Sequence, residues 1–289
     1  MKHFLFSSIF LLLNFNLNAQ TIKGIVLDKD SKKPIPYVSI GIINTPQGTY
    51  AYTDGQFEME IVEFKNDDSL RFSCIGYSPV TYSVTEFLDL YQAGIETVFL
   101  TEKIIKLEEV VVQSRRNRAK KVGNKTSTKQ MILGLVNKIE RGIIIETDDE
   151  LFLKSVSFKL TMDGGTAPDS AVFRFNIYNL KDDGLPNENV LSQPIYFYLV
   201  GDQFEGKNKF DISKYNITIS EDFAATFELV EKSGGNRIYF TGWFTGKRSI
   251  SKWGTQGIWE DDRADKSREN DHGGIKMYQS LEIEVLYEK

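Results

Sequence analysis

Cysteine and histidine are nearly absent, one Cys and two His in 289 residues, and that scarcity removes much catalytic and structural chemistry at once. A single cysteine, Cys74, permits no internal disulfide, so stability has to come from packing. Cys74 shares a period-2 face with Leu70 and Phe72 and reads as a small buried apolar residue rather than a reactive thiol. Zinc sites need more His or Cys ligands than this chain holds. A Ser-His-Asp triad would depend on His272, in the polar stretch Glu269-Asn270-Asp271-His272-Gly273-Gly274, and no Gly-x-Ser-x-Gly elbow stands elsewhere to serve it. Neither a phosphate-cradling P-loop nor a dinucleotide fingerprint occurs. A basic excess is missing too: the formal charge is −5, which gives no general attraction to nucleic acid or anionic lipid. No stretch approaches the ~18 uninterrupted apolar residues of a membrane span. The chain is therefore predicted not to be an enzyme, a nucleic-acid binder or a membrane-spanning protein.

What is present is core-forming material: 41% hydrophobic residues and 12% aromatics, ample for one large or two ordinary domains. Residues 1–19 read as a cleaved signal peptide, with Lys2 as the positive end, an apolar run over 4–13 and a small-residue exit at Leu17-Asn18-Ala19. Export is the expectation, to the periplasm, the outer-membrane surface or the cell surface. With no Cys near the cleavage point to take a lipid, noncovalent attachment to the envelope is expected.

Residues 20–113 are short alternating runs broken by turns. Phe57, Met59 and Ile61 alternate with Gln56, Glu58 and Glu60, a half-buried strand; Val38, Ile40 and Ile42 repeat the pattern. Asp54-Gly55 between 50–53 and 56–61 predicts a tight hairpin. Further strands are expected at 21–27, 69–75, 79–84, 95–101 and 108–113, with no strong helix among them, which argues a seven-stranded antiparallel sandwich.

Several motifs in this stretch point the same way. They are Gly24-Ile25-Val26-Leu27-Asp28, Lys33-Pro34-Ile35-Pro36-Tyr37-Val38, Thr53-Asp54-Gly55-Gln56-Phe57, Ser73-Cys74-Ile75-Gly76-Tyr77 and Leu107-Glu108-Glu109-Val110-Val111-Val112. Together, and in this order, they resemble the carboxypeptidase-regulatory-like domain. The resemblance implies a transthyretin-like fold, a structural or docking role, and the setting of a Gram-negative envelope, where such domains often precede the plug and barrel of TonB-dependent receptors. It does not imply peptidase activity, which belongs to a separate catalytic domain. No plug-like sequence follows, and the remaining length is too short for a large outer-membrane barrel.

Residues 114–145 are expected to be a basic linker and a short helix. Arg115, Arg116, Arg118, Lys120, Lys121, Lys125 and Lys129 come with almost no acid, either a solvated connector or a contact for phosphate-rich envelope glycolipid. Ser127-x-x-Gln130 then offers a cap for an amphipathic helix with Met131, Ile132, Leu135, Val136 and Ile139 on one face. From 146 to 289 strand text returns, at 151–162, 171–178, 195–200, 223–230, 237–244 and 275–287, and predicts a second, jelly-roll-like sandwich. Its order loosely resembles an uncharacterised sandwich module found downstream of such regulatory-like domains.

Two candidate sites remain. Asp261, Asp262 and Asp265, in an acidic stretch that also holds Arg263, Lys266 and Arg268, read either as a Ca²⁺ site or as a solvated loop. Trp243, Trp253 and Trp259, with Tyr239, read either as a stacking platform for sugar rings or as core; Trp253 and Trp259, in a Gly-rich segment, are the better platform candidates. The whole predicts an all-β, two-sandwich, non-catalytic exported envelope protein that presents a recognition domain to a protein or glycan partner and needs no cofactor. The alternative is a carbohydrate-binding protein using loop tryptophans, with weak glycoside hydrolysis by a carboxylate pair.

Overall fold

The computed structural model describes residues 20–103, 118–124, 131–135, 138–162, 164–235, 237–243, 248–261, 278–279 and 281–287, with backbone alone at 131–135, 242–243 and 278–279. The expected signal peptide, the strand at 108–113, the Ser127 cap, His272, Asp262 and Asp265 lie outside them.

The first domain packs two four-stranded sheets face to face. One runs Gln56–Ile61, Gln20–Asp28, Thr97–Glu102, Tyr77–Ser78; the other runs Gly48–Tyr50, Ser39–Ile42, Ser69–Ser73, Val80–Ser83. Alternation builds the core: Phe57, Met59 and Ile61 turn inward while Gln56, Glu58 and Glu60 face water. Phe72 is the hub, with Phe57, Tyr82 and Phe87 ring centroids at 5.6, 6.2 and 5.4 Å. Gln20–Asp28 pairs in parallel with Thr97–Glu102.

Two expectations for this domain are corrected. Asp54-Gly55 does turn the chain, with Gly55 at φ +76° and the Tyr52 N–H donating to Gln56 O, but it makes no hairpin. Gly48–Tyr50 pairs with Ser39–Ile42 and Gln56–Ile61 with Gln20–Asp28, so the turn carries the chain from one sheet to the other. Val84–Gln92 is a helix rather than the end of a strand. Ser83 caps it by accepting from the Glu86 N–H at 3.1 Å, and Val84, Phe87 and Leu88 bury one face. Ser83-x-x-Glu86 ahead of this stripe was a readable start signal.

The second domain is a larger sandwich. Its outer sheet runs Met131–Leu135, Ile238–Trp243, Leu151–Met162, Leu281–Tyr287, Arg118–Gly123, with Gly206–Asp211, Thr218–Ile219 and Tyr278–Gln279 added. Its inner sheet runs Pro186–Asn189, Ser170–Leu180, Phe223–Ser233, Ile139–Ile145, Ser249–Trp253, Trp259–Asp261, with Ile195–Leu199 also on Ser170–Leu180. Phe158, Phe173, Phe175, Phe227 and Phe240 fill the space between them.

The basic linker and short helix are not found where their residues are described. Arg118–Gly123 is a strand paired with Leu281–Tyr287. Its lysines answer the acids beside it: Lys121 Nζ reaches Glu282 at 3.0 Å, and Lys120 pairs with Asp149. Met131–Leu135 is a strand antiparallel to Ile238–Trp243, and after Lys138 at φ +75° the chain enters Ile139–Ile145 in the opposite sheet. A short apolar run satisfies helical and buried-strand templates alike, and Gly134 weakens the helical one. No helix among the described residues is long and apolar enough to cross a membrane.

Candidate functional site: a polar cleft between the domains

Three central strands of the inner sheet are buried on both faces. One face, with Phe173, Phe175, Ile177, Phe227 and Leu229, belongs to the sandwich core. Strand alternation puts Val172, Arg174, Asn176, Tyr178, Thr226, Glu228 and Glu140 on the other, and the first domain covers part of that face.

Register aligns four charges across four neighbouring strands. Arg174 stands opposite Glu228, Glu228 opposite Glu140, and Glu140 opposite Lys252. Two glutamates facing each other would repel, but each has its own cation. Arg174 Nε and Nη2 donate to Glu228 Oε2 at 2.9 and 2.5 Å, while Lys252 Nζ lies 2.7 Å from Glu140 Oε2. The remaining lone pairs are also used: Tyr50 OH donates to Glu228 Oε1, and Asn176, Tyr178 and Thr226 donate to Glu140 Oε1. Buried charges paired and hydrogen-bonded in this way avoid the cost of isolation. One strand further, Trp259 lies opposite Lys252, whose Nζ sits 4.9 Å from the indole, and Tyr178 meets the same ring edge-on at 5.4 Å.

The first domain docks onto this row. Arg174 Nη1 donates to Tyr37 O at 2.9 Å and Nη2 to Ser39 Oγ at 2.7 Å; Tyr37 OH donates to Glu231 at 2.6 Å. Tyr37 takes φ +56°, a costly conformation for a bulky residue, and its carbonyl meets the guanidinium. A second contact comes from 254–257: Thr255 Oγ1 donates to Ile40 O at 2.7 Å and Gln256 Nε2 to Ser73 Oγ at 2.8 Å. Gly41 and Gly48 make room for it, since a Cβ on either would lie 2.6 or 2.1 Å from Thr255 Oγ1.

Electrostatics follow from burial and pairing. Burial opposes ionisation of Glu228, but Arg174, then Lys252 and the hydrogen bonds from Tyr50 and Arg174, outweigh it and hold the carboxyl below its ordinary value of 4.5. Burial, then Glu228, pushes the Tyr50 phenol well above its ordinary range. A carboxyl with a depressed folded pKa contributes stability above the unfolded value and loses it as pH falls through the folded one. The thermal midpoint should therefore stay level from about pH 8 to about pH 5 and fall below it. A midpoint unchanged down to about pH 3 would mean that Glu228 is not held as a carboxylate.

Between the docked domains lies an open cleft of about 580 Å³. Its floor is the buried charged row, with Arg174, Asn176, Tyr178 and Glu228, and Lys252 and Trp259 beside them; its opposite wall is Arg71 and residues 73–77 of the first domain. Cys74 lies on that wall, and burial pushes its thiol pKa up, as a packing residue requires.

The residues singled out in the sequence are not assembled into one site. Trp259 lines the cleft. Trp253, 42% exposed, stands over Arg141 at 6.0 Å, apart from the cleft lining. Tyr239 and the backbone of Trp243 belong to the opposite sheet, so the four aromatics form no common platform. Asp261 accepts from Arg248 Nε at 2.7 Å, which engages the one described member of the Ca²⁺ set. Among the described residues no group of three or more His, Cys, Asp or Glu side chains is placed to hold a metal. Arg174, Glu228, Glu140 and Lys252 were missed. The signal for Arg174 and Glu228 was a lone charge inside an apolar run, Phe173-Arg174-Phe175 and Phe227-Glu228-Leu229.

Two β-sandwiches locked together through a buried ionic row define an all-β protein. Residues 22–112 match the family model described as the CarboxypepD_reg-like domain, and the first sandwich is a domain of that family. The family is a regulatory-type β-sandwich rather than a catalytic one. No curated protein matches. Among solved structures, the major pilin subunit of Bacillus cereus is similar at 9% identity and a TM-score of 0.19, over 84% of this chain and 66% of that one. The chain thus spans just under two thirds of the pilin's length. A structure of carbohydrate-binding modules from the beta-sandwich super family is similar at 9% identity and a TM-score of 0.19, over 77% of this chain and 94% of that one. Likenesses this slight carry no argument about function.

Proposed function

We propose that this chain is a non-catalytic binding protein exported to a Gram-negative envelope, in which the CarboxypepD_reg-like domain is fixed against the larger sandwich and the cleft between them receives a glycan. The observation that carries this reading is the cleft itself: both domains contribute polar side chains to it, over a floor whose buried charges are already satisfied. Amides such as Asn44 and Asn187 suit sugar hydroxyls, and Trp259 and Tyr178 offer ring surface. Titration with a panel of neutral and acidic oligosaccharides should change tryptophan emission, with Trp259→Ala weakening binding about tenfold and Trp253→Ala leaving it unchanged. A panel that produces no emission change and no heat would end the glycan reading. Fractionation of cells expressing the full chain should place it with the envelope; a cytosolic pool would remove the export part.

A second reading, a protein partner, is favoured by one feature. Ile195–Leu199 is an edge strand among the described residues, and beside its buried Ile195, Phe197 and Leu199 it exposes Tyr198 (63%), followed by Val200 (56%). Partner capture that survives saturating glycan and is lost in Tyr198→Lys would support it.

A further inference from the structure

We infer that the cleft selects an acidic saccharide, one carrying carboxylates along its chain. This rests on the glycan reading above and goes beyond it by naming the ligand's charge. The whole chain is acidic, at −5, but the cleft is not. Its floor is neutral, because Arg174 and Lys252 are taken by Glu228 and Glu140. What remains on the lining is Arg71 and Lys103 from the first domain and Lys181 from the second, against one exposed acid, Glu188. Among the described residues none of these three cations has a carboxylate partner, so all three are open to a ligand.

Their placement argues for a chain-like anion rather than a compact one. Arg71 projects, half-buried, from the outer face of Ser69–Ser73, opposite the inward Leu70 and Phe72. Lys103 follows the end of Thr97–Glu102, and Lys181 follows the end of Ser170–Leu180. The charges therefore come from three separate elements and both walls, not from one loop of converging backbone N–H groups such as cradles a phosphate. Amides interspersed with them, Asn44, Asn187 and Gln256, match hydroxyls, and a guanidinium matches a carboxylate in two-pronged fashion. A uronic-acid oligomer presents both kinds of group on every residue.

The test is calorimetric titration of the purified chain with three probes: oligogalacturonate, a neutral cello-oligosaccharide of equal length, and inorganic tripolyphosphate. The acidic sugar should bind at least about tenfold more tightly than the neutral one at low ionic strength, with the gap closing in about 0.5 M salt. The paired substitution Arg71→Gln and Lys181→Gln should abolish that preference while leaving the melting temperature unchanged, because neither residue is in the docking contacts. Equal binding of neutral and acidic sugars would overturn the charge inference and leave the glycan reading standing. Tripolyphosphate binding as tight as oligogalacturonate would make this a general anion site and overturn the saccharide assignment. No binding of either sugar would end both readings.

Discussion

Arg174→Met should destabilise the protein by about 3–5 kcal/mol, among the largest effects of any single change outside the core. Methionine fills much of the same space, so the loss is electrostatic. Glu228, 2% exposed, would keep its charge with Glu140 directly opposite and only Lys252 to answer both. The same change removes the donors to Tyr37 O and Ser39 Oγ, so the first domain should loosen as the second weakens. The partner substitution separates charge from packing. With Glu228→Met added, no unpaired charge remains on that side of the row, Glu140 keeps Lys252, and the double variant should be more stable than Arg174→Met alone. Urea denaturation of the four members of the cycle measures this coupling. An Arg174→Met variant within about 1 kcal/mol of the unaltered chain, with costs that simply add, would mean that the row is open to water and the domains are held by other contacts.

That row also explains what was legible beforehand. The long strands of the second domain were readable because they carry an apolar face, and the predicted 151–162 matches Leu151–Met162 end to end. The same periodicity gave Phe57, Met59 and Ile61 their inward direction. It also concealed the site. Alternation sends Arg174 and Glu228 to the face opposite the phenylalanines, and in a single sandwich that face is solvent. Only the docking of a second domain turns it into an interior, and docking is decided by long-range shape: Gly41 and Gly48 admitting Thr255, and Tyr37 forced to positive φ. Tyr37 was in plain view within the Pro34-Ile35-Pro36 motif, but nothing local says that its carbonyl faces a guanidinium 137 residues away. The basic stretch failed for a related reason. Lys120 and Lys121 read as part of a linker because their counter-charges, Asp149 and Glu282, lie elsewhere in the chain and reach them only in the folded sheet.

Phe158→Ala should cost about 3–5 kcal/mol by a different route, the loss of the ring on which both sheets of the second domain converge. The Phe227 ring lies 4.5 Å away, Phe210 and Phe240 at 5.7 Å, Phe173 at 5.9 Å and Phe197 at 6.4 Å. These rings come from strands of opposite sheets, and backbones already held by their ladders cannot close in to fill the void, so both the transfer and the cavity contributions should appear in full. The first domain has its own core around Phe72, sharing no residue with this one. Phe158→Ala should therefore lower the midpoint of the second sandwich while the first still unfolds cooperatively, whereas Tyr198→Ala, at 63% exposure on the sheet edge, should stay within about 0.5 kcal/mol of the unaltered chain. Denaturation followed by Trp emission reports the second domain selectively, because Trp243, Trp253 and Trp259 all lie there. If emission and far-ultraviolet circular dichroism moved together by the same amount in Phe158→Ala, the ionic row would be binding the two sandwiches into one cooperative unit. A separation of the two signals would make docking the weaker link, the one that Arg174→Met should break first.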